Sequence, residues 1–161
     1  MNELDRKGPM TEMTAAQSQN LHVGIDIGST TVKAVVLDAD TNEELFGVYR
    51  RHGSQQIQAT LRVLDEIVSR FPLSHNRCAL CGSGSEDIAR GIGAPFIQEV
   101  VAGATAVRAL YPQANCTIEL GGQDAKMIFF RHDESGVQEL GDMRMNGSCA
   151  GGTGAFIDEV A

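Results

Sequence analysis

The sequence has little positive charge, few cysteines and prolines, and no long apolar run. Its 161 residues include 13 Lys and Arg against 21 Asp and Glu, so the formal net charge of −8 argues against a dedicated nucleic-acid binder. No apolar run approaches the roughly 20 residues that span a bilayer. Four prolines without a three-residue glycine period exclude a collagen-like chain. We therefore expect a soluble globular protein.

The four cysteines do not have the pattern of a disulfide framework. A chain of this length buries enough surface to fold without such cross-links, and its first residues lack the pattern of a secretory signal. We therefore expect a protein of the reducing cytoplasm. Cys78 and Cys81 have the spacing of a metal-binding pair, but no second pair or histidine completes a site, so we interpret them, like Cys116, as structural residues of strands. The histidines share no spacing and are predicted to be exposed to solvent: His22, His52, His75 and His132.

The chain divides into a polar tail and segments with clear periodicity. Residues 1–20 have neither helical nor strand periodicity and are predicted to be a mobile tail. From Leu21, three β-branched or alternating runs separated by turn residues predict a strand meander. Apolar residues at helical spacing then predict a helix opened by Ser54 and ending before Pro72. A buried strand, a glycine turn and a helix over residues 77–93 follow, and another helix is predicted over about residues 98–110.

The strand pattern then begins again. Strand, glycine turn, strand, turn, strand occurs from about residue 21 and recurs from about residue 115. The repeat predicts an α/β fold in which a three-strand meander with helices is followed by the start of a second copy. We assign residues 21–112 to the first unit and 113–161 to the second, which is cut short as GTGAFIDEVA begins a helix.

Glycine is the residue in excess, and two glycine turns carry functional groups. The 18 glycines make up about 11% of the chain, against a usual share of roughly 7%. In the first turn Asp26 precedes Gly28, and Lys33 lies on the next strand. A glycine lets phosphate oxygens approach the backbone closely, and Asp26 can hold a hydrated Mg²⁺. Three hydroxyl side chains add further donors: Ser29, Thr30 and Thr31.

The second turn repeats this order of groups. Glu119 precedes Gly121, and Lys126 lies on the following strand. Either turn alone is also compatible with an ordinary glycine hairpin. Since both copies of the meander carry the same order of carboxylate, glycine, polar donors and lysine, the pair predicts a phosphate clamp. Neither turn matches the phosphate loop that leads into a helix or the dinucleotide-binding fingerprint.

Three motifs carry a family resemblance. DIGSTTVK, ELGGQDAK and MNGSCAGGTGAFID resemble the ATPase component of 2-hydroxyacyl-CoA dehydratase activators and benzoyl-CoA reductases, the BadF/BadG/BcrA/BcrD-type ATPases of the actin, sugar-kinase and heat-shock chaperone superfamily. The resemblance covers residues 21–161. It implies ribonuclease-H-like domains with ATP and Mg²⁺ between them, a homodimer, and a four-iron four-sulfur cluster shared by the subunits. ATP hydrolysis would then drive a low-potential electron onto a partner dehydratase or CoA-ester reductase.

The resemblance also implies roles for single residues. Asp26 would contact magnesium, Cys149 would bind the cluster, and Glu99 and Asp124 are the catalytic candidates. Glu119 stands where the family usually has an aspartate. The phosphate-binding residues would be Asp26, Gly28, Ser29, Thr30, Thr31 and Lys33 in the first loop and Gly121, Gly122, Gln123 and Asp124 in the second.

Several alternatives stay open at this point. Glu99 is more typical of simple stabilisation at a helix start than of catalysis, and the turn 82–85 suits either a tight strand-to-helix connection or an anion site. The family's second cluster cysteine and adenine segment would lie beyond Ala161, so we expect this chain by itself to be inactive. Besides the dehydratase activator, a small-molecule kinase acting on a sugar or an acid would use the same clamp, although NGSCAGGTG argues against it. A non-catalytic regulatory module of a longer protein is the third alternative.

Overall fold

The fold is described from a computed structural model for residues 20–71, 76–121 and 124–145. Within these ranges the chain forms two β-sheets and three helices. The elements, in chain order, are β1 (Leu21–Ile27), β2 (Thr31–Asp38), β3 (Glu44–Arg51), α1 (Gln56–Arg70), β4 (Arg77–Cys81), α2 (Glu86–Ile92), α3 (Glu99–Leu110), β5 (Cys116–Leu120), β6 (Ala125–His132) and β7 (Gln138–Met145). The predicted tail, the helix start in GTGAFIDEVA and Cys149 lie outside the described residues.

The first sheet is mixed and has the strand order β3-β2-β1-β4. β1, β2 and β3 form the predicted antiparallel meander, and β4 runs parallel to β1. The alternation in β1 buries every second residue, which places Val23 and Ile25 in one core with Val63 and Ile67 of α1. The mixed sheet with its meander and helices confirms the predicted α/β fold class.

Helix α1 begins two residues later than the predicted cap. Ser54 lies in the turn before the helix with a left-handed φ of 67°, and Gln55 occupies the cap position without a side-chain hydrogen bond. The prediction that Ser54 caps the helix was therefore wrong. The turn directs the Ser54 N–H into a hydrogen bond with His52 Nδ1 at 3.1 Å.

No helix among the described residues is long and apolar enough to cross a membrane.

The second sheet is a smaller meander with the order β5-β6-β7, antiparallel throughout. Helix α3 packs on it through Ala104, which lies in a small core with Ile128 and Phe130 of β6. The opposite side of α3 borders an apolar groove on the first sheet, where Val101 and Ala102 face strands β1 and β4. α3 therefore lies between the two sheets, and its first residue reaches the cleft described below.

The two meanders share detailed features as well as strand order. Asp26 pairs in register with Lys33 on β1 and β2, and Glu119 pairs with Lys126 on β5 and β6. Each first-sheet residue of these pairs precedes its second-sheet counterpart by 93 residues. The strand after each glycine turn also has an irregularity in its pairing at equivalent positions, at residues 36–37 in β2 and 129–130 in β6. The division into units at residue 112 stays a prediction.

Candidate functional site

The two glycine hairpins face one cleft. Residues of the first hairpin, from Asp26 to Lys33, form one wall. The other wall is formed by the described residues of the second hairpin: Glu119, Gly121, Asp124 and Lys126. Ser83, in the turn after β4, and Glu99, the first residue of α3, complete the lining among the described residues. The cleft is markedly polar, since hydroxyls, carboxylates and lysines make up most of its lining: Asp26, Gly28, Ser29, Thr30, Thr31, Lys33, Ser83, Glu99, Glu119, Gly121, Asp124 and Lys126.

The first hairpin closes through one main-chain hydrogen bond. The Gly28 N–H donates to the Thr31 carbonyl at 2.9 Å, and across the strands Lys33 Nζ donates to Asp26 Oδ2 at 2.9 Å. Burial lowers the pKa of Lys33, but the hydrogen bond and charge of Asp26 outweigh this effect and raise it above the ordinary lysine value. Lys33 is therefore charged at neutral pH while nearly half of its side chain remains exposed.

The second oxygen of Asp26 is buried and has no hydrogen-bond partner among the described residues. Gly82, with a left-handed φ of 96°, approaches this carboxylate and the β1 backbone so closely that a Cβ atom there would lie 2.5 Å from the Ile27 carbonyl oxygen. A buried carboxylate oxygen without a donor is costly unless a water or a cation satisfies it. Since Mg²⁺ usually keeps several water ligands in protein sites, Asp26 suits contact with a hydrated magnesium ion.

The second hairpin has the same main-chain closure but a different lysine environment. The Gly121 N–H donates to the Asp124 carbonyl at 2.8 Å. Lys126 is only 8% exposed, and its Nζ donates to Glu99 Oε2 at 2.9 Å and to Asp124 Oδ1 at 3.1 Å, with Glu119 Oε2 at 3.8 Å. Burial lowers the pKa of Lys126, but its hydrogen bonds to Glu99 and Asp124, together with the charges of Glu119 and Glu99, outweigh this effect and raise the pKa well above its ordinary value. Lys126 thus joins the second hairpin to the start of α3.

Two further groups beside the cleft have shifted pKa values. Burial raises the pKa of Glu119; Lys126 lowers it, but Glu99 and other carboxylates add to the increase. Burial also raises the pKa of the Cys81 thiol to about 11, with Asp26 contributing through its charge. Cys81 is therefore protonated at neutral pH, as expected for an inert strand cysteine.

The charges of the cleft favour an anion that is bound to a cation. Its carboxylates outnumber its lysines, since Lys33 and Lys126 face four acidic side chains, so a bare polyphosphate would meet a net negative charge. Among the described residues no three histidine, cysteine, aspartate or glutamate side chains are arranged to hold a metal ion by themselves. Magnesium bound through one carboxylate, waters and substrate phosphates fits both observations. The four acidic groups are Asp26, Glu99, Glu119 and Asp124.

The structure brings most of the predicted site residues together. All six residues of the first loop line the cleft, as do Gly121, Asp124 and Glu99. Gly122, Gln123 and Cys149 lie outside the described residues. The roles of these residues in phosphate binding and catalysis stay predictions.

The contacts bear on the alternatives left open for Glu99 and for the turn 82–85. Glu99 begins α3, and its carboxylate also binds Lys126, so it does more than stabilise a helix end. In the turn 82–85, Ser85 Oγ donates to the Gly82 carbonyl at 2.8 Å, and the Gly84 N–H donates to the Ile27 carbonyl at 2.9 Å. These internal bonds favour the tight strand-to-helix connection.

Two residues that support the site were missed from the sequence. His52, predicted to be exposed, is only 8% exposed, and its Nε2 lies 3.2 Å from the Gly28 carbonyl oxygen. Gln56 Nε2 donates to the same oxygen at 2.9 Å. No local pattern marks either residue, because their partner lies 24 and 28 residues earlier in the chain.

Comparison with known proteins gives consistent matches. The profile of the BadF/BadG/BcrA/BcrD ATPase family matches residues 23–161. The (R)-2-hydroxyglutaryl-CoA dehydratase activating ATPase of Acidaminococcus fermentans is 28% identical over 142 residues, covering 86% of this chain and 52% of that protein. The activator of lactoyl-CoA dehydratase from Anaerotignum propionicum is 32% identical over 151 residues, with coverage of 86% and 52%.

A solved structure shows the same similarity in three dimensions. The activator of 2-hydroxyisocaproyl-CoA dehydratase from Clostridium difficile, determined with bound ADPNP, matches with a TM-score of 0.71 and 29% identity over 86% of this chain and 50% of that one. The chain therefore spans about half the length of the curated relatives it matches.

Proposed function

The chain belongs to the BadF/BadG/BcrA/BcrD ATPase family, and on that premise we propose that it forms the phosphate-binding part of an ATPase that activates a 2-hydroxyacyl-CoA dehydratase. The substrate of the cleft is Mg²⁺-ATP, held by its phosphates between the two hairpins. The relatives named as activators of such dehydratases, and the structural relative with bound ADPNP, support this proposal.

The observation that carries the proposal is the pairing of the hairpins across one cleft. Each hairpin combines a carboxylate, a glycine turn closed by the same main-chain hydrogen bond, and a lysine on the returning strand. A nucleoside triphosphate carries anionic oxygens along its whole phosphate chain, and hydrogen-bond donors on the two walls of the cleft can bind them. The Lys33 ammonium and the hydroxyls of Ser29 and Thr30 supply donors on one side.

The carboxylates have separate tasks in this proposal. Asp26 lines the cleft with a partly exposed carboxylate, which accepts hydrogen bonds from the water ligands of magnesium. Glu99 and Asp124 face the cleft from the opposite side and orient the attacking water, which is the main protein task in phosphoryl transfer besides electrostatic stabilisation. Lys126 holds both carboxylates in place and limits their repulsion.

The proposal extends to an iron–sulfur cluster and a homodimer. The proposed cluster ligand is Cys149, which lies outside the described residues, and a four-iron four-sulfur cluster takes four thiolates. Two subunits that each contribute Cys149 and one further thiolate would meet that number. When bound, the cluster supplies the low-potential electron for a dehydratase or CoA-ester reductase partner. Anaerobic reconstitution of a protein that carries both cluster cysteines should load iron, and its Cys149→Ala variant should not; equal iron contents would contradict this part.

Isothermal titration calorimetry with Mg²⁺-ATP tests the nucleotide site. We expect Asp26→Asn to weaken binding by about tenfold or more, since it removes a charged acceptor of the kind that contributes about 1.5–3 kcal/mol. Chelation of magnesium should weaken ATP binding to the wild-type chain at least as much, because the cleft then presents excess negative charge to the phosphates.

Asp40→Asn is the matched control, since Asp40 is an exposed aspartate in the turn beyond β2 and away from the cleft. This variant makes the same change in charge and should bind Mg²⁺-ATP like the wild type. A wild-type chain that does not bind Mg²⁺-ATP, or an Asp26→Asn chain that binds it normally, would overturn the proposal. Circular dichroism melting of all three proteins excludes loss of fold as the cause.

A further inference from the structure

The carbonyl oxygen of Gly28, at the tip of the first hairpin, accepts two side-chain hydrogen bonds. Gln56 Nε2 donates to it at 2.9 Å, and His52 Nε2 lies 3.2 Å away. The His52 main-chain N–H donates to the neighbouring Thr30 carbonyl at 3.1 Å. Two carbonyls of the hairpin are therefore held by one short segment, residues 52–56, that lies between β3 and α1.

The surroundings of His52 assign its proton. Its Nδ1 accepts the Ser54 N–H at 3.1 Å, so the ring is neutral with the proton on Nε2, where it donates to the Gly28 carbonyl. The side chain is buried, and both ring nitrogens are satisfied by main-chain groups. The left-handed φ of 67° at Ser54 belongs to the turn that makes this contact.

Gln56 reaches the same carbonyl because Gly84 leaves room for it. A Cβ atom on Gly84 would lie 2.6 Å from Gln56 Nε2 and 3.0 Å from its Cδ atom. The Gly84 N–H in turn donates to the Ile27 carbonyl, next to the hairpin. The glycine turn after β4 thus makes space for an amide that comes from the start of α1.

These bonds fix the direction of the peptide groups at the hairpin tip. In a trans peptide the C=O and N–H groups point in opposite directions, so the Gly28 carbonyl that points toward residues 52–56 turns the Ser29 N–H away from them. The Thr30 N–H belongs to the next peptide group, which lies between the two held carbonyls. Among the described residues, neither the Ser29 nor the Thr30 N–H group has a hydrogen-bond acceptor. Unpaired successive N–H groups at a glycine turn form a concavity that suits an anion.

We propose that His52 and Gln56 are positioning residues that hold the Gly28 carbonyl away from the cleft, so that the Ser29 and Thr30 N–H groups are preset to receive a nucleotide phosphate. The inference rests on the proposed function for the identity of the ligand. The hairpin geometry that it describes is measurable without any ligand. Neither side chain lines the cleft, so both act through the backbone of the hairpin.

The test combines amide hydrogen exchange with binding of Mg²⁺-ADPNP to the full chain. His52→Gln keeps an amide nitrogen near the position of Nε2, whereas the shorter His52→Asn reaches only the position of Nδ1 and cannot bond the Gly28 carbonyl. We expect His52→Asn and Gln56→Ala to weaken nucleotide binding about 3- to 10-fold, as for the loss of one neutral hydrogen bond, and His52→Gln to restore most of it. Exchange of the Gly28 N–H, which donates to the Thr31 carbonyl, should quicken in the two weakened variants.

Gln58→Ala is the control, because Gln58 is exposed on the same helix as Gln56 and should change neither measurement. His52→Asn and Gln56→Ala variants that melt like the wild type but bind and exchange unchanged would overturn the inference. Equal weakening by His52→Gln and His52→Asn would also overturn it, since general loss of packing would then explain the effect. If the wild-type chain fails to bind Mg²⁺-ADPNP, the proposed function fails, while the exchange of the Gly28 N–H still decides whether His52 and Gln56 hold the hairpin.

Discussion

Replacing Lys126 by methionine should destabilise the fold far more than the same change at Lys33. The two lysines occupy equivalent positions in the two hairpins, 93 residues apart, and each faces a carboxylate across its strands. Lys126 is 8% exposed and bonds two carboxylates, whereas Lys33 is 46% exposed and bonds one. Methionine retains the apolar stem in both cases, so the comparison isolates the loss of the ammonium group.

The magnitude follows from the contacts. Two hydrogen bonds to charged groups are worth about 1.5–3 kcal/mol each, but Glu99 and Asp124 are about a third exposed and regain water when Lys126 is lost. We therefore expect K126M to lower the free energy of unfolding by about 2 kcal/mol, or Tm by roughly 4–8 °C. For the exposed pair of Lys33 and Asp26 we expect at most about 1 kcal/mol.

The assay is urea unfolding followed by circular dichroism, at low and high salt. Without Lys126, three carboxylates repel one another, so the deficit of K126M should shrink as salt screens that repulsion. The raised pKa of Lys126 means that its contribution is complete at neutral pH and is lost only as the pH rises through that raised value. Equal stabilities of K126M and K33M, or a K126M deficit that salt does not reduce, would refute the reasoning.

Three further predictions follow from the same region. Burial raises the pKa of Glu119, so ionisation of this carboxyl lowers the stability of the fold as the pH rises through the raised pKa. E119Q should therefore melt at the same or a higher temperature than the wild type at pH 7. A loss of stability comparable with that of K126M would contradict this. G82A should lower the free energy of unfolding by about 2 kcal/mol, because residue 82 has a left-handed φ and its Cβ would lie 2.5 Å from the Ile27 carbonyl oxygen. G91A is the control, since a Cβ there meets no other atom within 4 Å, and it should raise the free energy of unfolding by about 0.5–1 kcal/mol. Iodoacetamide at pH 8, followed by peptide mass mapping, should label the exposed Cys116 well before Cys81, because burial raises the pKa of the Cys81 thiol to about 11. Faster labelling of Cys81 than of Cys116 would contradict this protection.

Much of the local structure was predictable from sequence because it depends on local periodicity. The alternation in β1 and the helical spacing of Leu64 and Ile67 are patterns of residues close in sequence, and the structure confirms the strand and the helix that they predict. The predicted cap of α1 was wrong because Ser54 forms a hydrogen bond with His52 instead. That hydrogen bond depends on where β3 ends and so where His52 lies. A capping rule considers only the residues next to the helix start and does not include this position.

Adjacent residues specify the two glycine hairpins, since each hairpin needs a glycine turn between β-branched runs with a carboxylate and a lysine at its ends. The contacts of each hairpin depend instead on how distant segments pack. Lys126 is buried because α3 brings Glu99 against it from 27 residues away, while Lys33 pairs with Asp26 of its own hairpin and stays 46% exposed. In the same way, the burial of His52 and the unpartnered oxygen of Asp26 arise from the packing of segments distant in sequence, so no pattern of neighbouring residues specifies them.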